Sequence, residues 1–117
     1  MPKEYDIKDR TFRFAQRVLE IVGMLPKAAE CDIIRRQLAK AGTSVGANVE
    51  EADGALSKKD FINKMGIARR EAKESRYWLR LISGRYIDED RIAKDIIEAN
   101  EIKNILSSII ENTKKSK

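Results

Sequence analysis

Between Phe61 and Ile82, apolar or small residues recur at unbroken 4-3 spacing: Phe61, Met65, Ala68, Ala72, Ser75, Leu79 and Ile82. That rhythm keeps one side of an α-helix against neighbouring helices for three heptads. A lone surface helix does not need so long a seam, so the pattern calls for a bundle. Ser57 stands before the seam as an N-cap, with Asp60 three residues on, where a capping box usually carries Glu or Gln. Gly84 follows as a stop signal, and the spacing predicts a helix over about 58–83.

Three more helices follow from the same reasoning. Ile34, Leu38, Ala41, Val45, Asn48 and Ala52, with Val49 beside them, predict one over about 30–56. Gly42 and Gly46 lie inside it, and each costs about 1 kcal/mol relative to Ala. Their presence implies a neighbour whose backbone comes close. Asn48 falls on the apolar stripe and needs a partner, because an unmet buried polar group costs roughly 1–3 kcal/mol. A first helix over about 9–24 carries two stripes, Phe12, Ala15, Leu19, Val22 and Phe14, Val18, Ile21, Leu25, which imply a wide buried face before Pro26. The fourth, over about 88–112, opens with Asp88, Glu89 and Asp90 at the positive end of its dipole. Ile92, Ile96, Ala99, Leu106 and Ile110 form one face, which Ile102, Ile105 and Ile109 widen beyond what a groove of three helices covers; the excess suggests a subunit contact. The tail 113–117 is expected to fray.

Short connections make consecutive helices antiparallel neighbours. The expected fold is all-α: a single-domain, up-down-up-down antiparallel four-helix bundle over residues 1–117. No apolar run approaches the about 20 residues of a membrane span, and the N-terminus lacks the apolar core of a signal peptide, so the expected location is cytoplasmic. Cys31 is the only cysteine and reads as a small, partly buried residue that cannot form an intrachain disulfide. The chain has no histidine, which removes the commonest general base and the Glu-x-x-His pattern of di-iron bundles. No cofactor or metal site is expected, and no enzymatic activity.

Charge is concentrated. Residues 57–85 hold nine basic and three acidic side chains, an excess of six in a chain whose net charge is +5. At about 100° per residue, Lys59, Asn63, Arg70, Lys73, Tyr77 and Arg80 project opposite the third helix's seam, with Arg69, Arg76 and Lys64 in support. A one-sided row of Lys and Arg with an aromatic among them suits phosphate-backbone binding, and Tyr77 has a ring on which a base can stack. Two other readings stand beside it: an ordinary solvated face, and a dock for an acidic protein.

Asn48, Glu51, Glu71, Glu74 and Trp78 look like a second group, three or four apart on two helices that pack together. The structural reading is a buried hydrogen-bonded network that fixes register, with the Trp78 indole on a carboxylate. The chemical reading, a carboxylate cluster for metal or acid-base work, is disfavoured by the missing histidine and the many arginines.

Gln37-Leu38, Thr43-Ser44-Val45-Gly46-Ala47-Asn48-Val49-Glu50-Glu51-Ala52, Lys59-Asp60-Phe61 and Ile67-Ala68-Arg69-Arg70-Glu71-Ala72-Lys73-Glu74-Ser75-Arg76-Tyr77-Trp78-Leu79 resemble the four-helix bundle proteins of the 23S ribosomal RNA intervening-sequence family. That family is similar to the accessory variability determinant of diversity-generating retroelements. The resemblance runs from about Phe12 to Ile110. It implies an antiparallel bundle that assembles as a homopentamer, without catalytic residues, and for which RNA or DNA binding is the usual suggestion. The family commonly has Asn-Ile-Ala-Glu-Gly where this chain has Asn48-Val49-Glu50-Glu51-Ala52, so Ala replaces the Gly.

The expected function is therefore that of a homo-oligomeric bundle that binds nucleic acid through Lys59, Lys64, Arg69, Arg70, Lys73, Arg76, Tyr77 and Arg80. The alternative is an assembly module that docks an acidic protein such as a reverse transcriptase.

Overall fold

In the computed structural model, which describes residues 6–116, the chain forms α1 (Ile7–Gly23), α2 (Ala29–Asp53), α3 (Lys58–Ile82) and α4 (Glu89–Lys115). What the sequence suggested for residues 1–5 and Lys117 lies outside the described residues. α1 begins two residues before the expected start because the Asp6 carboxylate accepts from the backbone N–H groups of Lys8 and Asp9. α2 stops at Asp53 rather than Leu56, with Gly54 at its C-cap and Leu56 fully exposed. Ser57 accepts from the Asp60 N–H, as the cap predicts, and α3 ends where Gly84 takes a φ of +78°. The expected fraying after Asn112 is corrected: α4 continues to Lys115. The Thr113 hydroxyl donates to the Ile109 carbonyl at 2.7 Å, and Lys114 and Lys115 sit at the negative end of the dipole.

The pairings across the bundle run antiparallel. Lys8 at the start of α1 bonds Asp53 at the end of α2, Lys58 at the start of α3 reaches the Ser116 carbonyl, and Arg10 and Arg17 meet Glu98 and Asp95 in reversed order. α2 packs between α1 and α3, and α3 between α2 and α4; the α1–α4 contact that closes the bundle is the least extensive.

The two glycines of α2, Gly42 and Gly46, are where α1 and α2 touch. A Cβ on Gly42 would lie 2.7 Å from both Val18 methyl carbons, and one on Gly46 would lie 3.2 Å from the Thr11 hydroxyl and 3.3 Å from its backbone. Val18 and Thr11 are fully buried, and the Thr11 hydroxyl is satisfied by the Ile7 carbonyl at 2.7 Å. The core is otherwise built from the expected seams, including Ile34, Leu38, Val45, Leu79, Ile92 and Leu106. Cys31 is completely buried rather than partly so.

The two α1 stripes are not equally buried. Phe14, Val18, Ile21 and Leu25 are buried, whereas of the other stripe Val22 is buried but Phe12 and Leu19 remain 54% and 52% exposed, so the wide buried face expected of α1 is narrower within one chain. The flank of α1 that faces α4 is polar. Arg10 makes a two-pronged pair with Glu98 at 2.7 and 2.8 Å and a further bond to Glu101 at 2.6 Å. Arg17 grips Asp95 at 3.1 and 3.2 Å and donates to the Arg91 carbonyl at 2.9 Å. Bonding to Glu98 raises the Arg10 pKa above its ordinary value; partial burial opposes the shift and Glu101 adds to it.

Candidate nucleic-acid interface

α3 divides cleanly around its axis. Met65, Ala68, Ala72, Ser75, Leu79 and Ile82 are buried, and the Ser75 hydroxyl is satisfied by the Glu71 carbonyl at 2.8 Å. On the opposite side Lys59, Arg70, Lys73, Tyr77 and Arg80 are exposed, while Lys64, Arg69 and Arg76 are half-buried along the edges. Lys59 and Arg80 are separated by about 32 Å of helix rise, so the row runs along most of the bundle. Tyr77 is 55% exposed and meets the Trp78 ring edge-on at 5.2 Å, which leaves much of its own ring open.

The cations of this face stand largely without counter-ions. Among the described residues, the one carboxylate within 4.0 Å of any of them is Glu71, at 3.9 Å from Arg70, whose side chain is 70% exposed. An exposed pair at that distance contributes little. By contrast, Lys8, Arg10, Arg13, Arg17 and Arg35, all on α1 and α2, each hold a carboxylate at normal bonding distance or closer. Arg76 has its Nε buried with no hydrogen-bond partner among the described residues.

α4 leaves the face unneutralised. Its central carboxylates Asp95, Glu98 and Glu101 are bonded to α1. The flank of α4 beside α3 presents Lys103 and Ser107, and Arg69 reaches the Ser107 hydroxyl in a long bond of 3.5 Å. Lys103 and Ser107 escaped the sequence reading. Their signal was there: Ile96, Asn100, Lys103 and Ser107 follow 4-3-4 spacing with no acid among them.

The second group does not assemble as one network. Asn48 is half-buried and donates to the Ser44 carbonyl of its own helix at 2.9 Å, while Glu51 is exposed. Glu74 accepts from the Trp78 indole at 3.2 Å, the expected carboxylate contact, one turn away on the same helix. Among the described residues, neither Asn48 nor Glu51 bonds to Glu71, Glu74 or Trp78, so the five do not share the one network that the sequence suggested. Among the described residues, no three acidic or thiol side chains converge as a metal ligand set. None of the described helices is long and apolar enough to cross a membrane.

Known proteins are similar to this chain in sequence and fold. The pattern that defines the 23S rRNA-intervening sequence proteins matches residues 3–108. A solved structure of a protein of unknown function from the S23 ribosomal protein family of Bacteroides thetaiotaomicron is similar at 38% identity, with a TM-score of 0.82, over 89% of this chain and 97% of that one. No curated protein matches. With the four-helix bundle, the glycine-mediated α1–α2 contact and a family match over nearly the whole length, the chain belongs to the 23S rRNA-intervening sequence protein family.

Proposed function

We propose that this protein is a non-enzymatic, homo-oligomeric helix bundle that binds RNA or DNA through the exposed basic face of α3. The observation that carries the reading is the lack of counter-ions: the face keeps its cations largely free, while three acids of α4, Asp95, Glu98 and Glu101, are bonded to α1. Phosphates are the complementary charge, and recognition of this kind is electrostatic and weakly sequence-specific. The location that goes with this reading is the cytoplasm.

Self-association is supported by Phe12 and Leu19, which lie seven residues apart on one side of α1, about half-exposed, and by Ile97, 57% exposed on α4. The family resemblance implies five subunits. A ring would repeat the α3 face and multiply weak contacts through avidity. A second reading, docking of an acidic protein, draws on Leu81, which is 44% exposed between Arg80 and the end of the helix and gives the face an apolar element.

The test is a fluorescence-anisotropy titration of structured RNA and duplex DNA with the native protein and the variant Arg70→Glu/Lys73→Glu/Arg80→Glu, with circular dichroism and light scattering to verify fold and assembly. The variant is expected to stay folded and assembled and to lose affinity by at least about 100-fold. Unchanged binding by a folded variant removes the α3 face from the account. No binding by the native protein at low salt removes nucleic acid and leaves the acidic protein.

A further inference from the structure

We propose that the groove between α3 and α4 is the seat of the phosphodiester backbone, with α4 supplying its second wall through Lys103 and Ser107. This deepens the nucleic-acid reading and rests on it. The groove has a volume of about 480 Å³ and is lined by Gly66, Arg69, Arg70 and Lys73 from α3 and by Lys103 and Ser107 from α4. Four of those six residues are cationic, one carries a hydroxyl, and no carboxylate lines the groove among the described residues.

The donor set fits a phosphate. Arginine offers a planar fork to two phosphate oxygens, lysine a compact charge, and serine a neutral O–H. The walls are close enough to share one anion: Arg69 Nη1 lies 3.5 Å from Ser107 Oγ, a weak bond that a phosphate oxygen accepting from both groups would replace. The groove is open beside Gly66, where a Cβ would meet nothing within 4 Å. Four like charges around one groove also repel one another. On the far side of α4, Arg10 and Arg17 meet carboxylates from that same helix, and here none is supplied. A bound anion relieves the repulsion that the fold leaves standing.

The groove makes a demand that the α3 face alone does not. A cation on α4, outside the helix that holds the charge excess, must contribute to binding. The experiment measures RNA and duplex DNA affinity, at several salt concentrations, for Lys103→Glu, Lys103→Gln and Lys103→Arg in the full-length assembled protein. Lys94→Glu is the control: the same charge change on the same helix, at an exposed position outside the groove. Lys103→Glu is expected to weaken binding about tenfold and to lower the slope of log K against log salt by about one. Lys103→Gln should lose about threefold, which keeps the test intact if charge reversal disturbs folding. Lys103→Arg and Lys94→Glu should stay within about twofold of native.

If Lys103→Glu binds like Lys94→Glu while reversal of Arg70, Lys73 and Arg80 abolishes binding, the groove is wrong and the α3 face survives. If the native protein binds neither nucleic acid, both readings fall together.

Discussion

Along one flank of α4, Asp95, Glu98 and Glu101 bind Arg17 and Arg10 of α1; along the other, Lys103 and Ser107 stand beside Arg69, Arg70 and Lys73 of α3 with no acid between them. The first seam is the least extensive packing contact in the bundle, and there charge pairing holds two helices whose apolar contact is thin. The second joins helices that already share an extensive core, so its edge is free to carry unpaired charge. On the proposed reading, charge placed where packing is weak serves stability, and charge placed where packing is secure serves a ligand. Substitutions on the two flanks should therefore separate, the α1 side altering stability and the α3 side altering affinity.

The largest stability effect is expected from Glu98→Lys. It removes both prongs of the Arg10 pair and puts a like charge beside a guanidinium whose side chain is only 22% exposed. The loss should be about 2–3 kcal/mol in a denaturant melt, at the lower edge of what breaking a buried pair costs because Glu98 is itself 31% exposed. Melts must be compared at one protein concentration, since assembly would add to apparent stability. Nucleic-acid affinity of the folded fraction should not change. A large affinity change with an unmoved melt would reverse the assignment of the two flanks.

Gly42→Ala comes next. Helix propensity favours Ala by about 1 kcal/mol, but the added carbon would sit 2.7 Å from the Val18 methyls, which are short, branched and fully buried. Overpacking of this kind costs about 1–3 kcal/mol, so the net effect should be a loss of about 1 kcal/mol, measured by melting temperature. Gly66→Ala is the mirror case. Nothing lies within 4 Å of the new carbon, so propensity alone decides and the protein should gain about 1 kcal/mol. A gain at both positions would mean that α1 and α2 do not approach as closely as described. The smallest stability change belongs to Lys103→Glu. That residue holds no carboxylate among the described residues, and its melt should stay within about 0.5 kcal/mol of native while its affinity falls.

Much of this was legible in the sequence. The α3 seam, the Ser57 cap and the glycine stop were read from spacing because each is a local rule that tertiary packing reinforces. Gly42 and Gly46 announced a close helix neighbour because only a packing gain offsets their cost, although the sequence did not say that the neighbour was α1. Asn48 misled, because its place on the apolar rhythm suggested burial, whereas the side chain turns back to the Ser44 carbonyl of its own helix. Phe12 and Leu19 misled in the opposite sense: periodicity counts apolar residues without knowing how many faces one chain covers.

The two flanks of α4 were hidden by summation. Residues 86–117 hold six basic and seven acidic side chains, which reads as a near-neutral helix. The sum conceals that its central acids sit toward α1 and that Lys103 sits toward α3. Which flank meets which neighbour is a property of the bundle, and it turns a balanced helix into one paired edge and one unpaired edge. The fold was therefore readable from local pattern, whereas the groove required the arrangement of helices.

The most direct measurement is the salt dependence of native binding to a structured RNA. With at least Arg69, Arg70, Lys73 and Lys103 engaged on phosphates, log K should fall linearly with log salt at a slope of about −3 or steeper. A slope near zero, or no binding at low salt, would contradict the account, because unpaired cations are its main means of holding a nucleic acid.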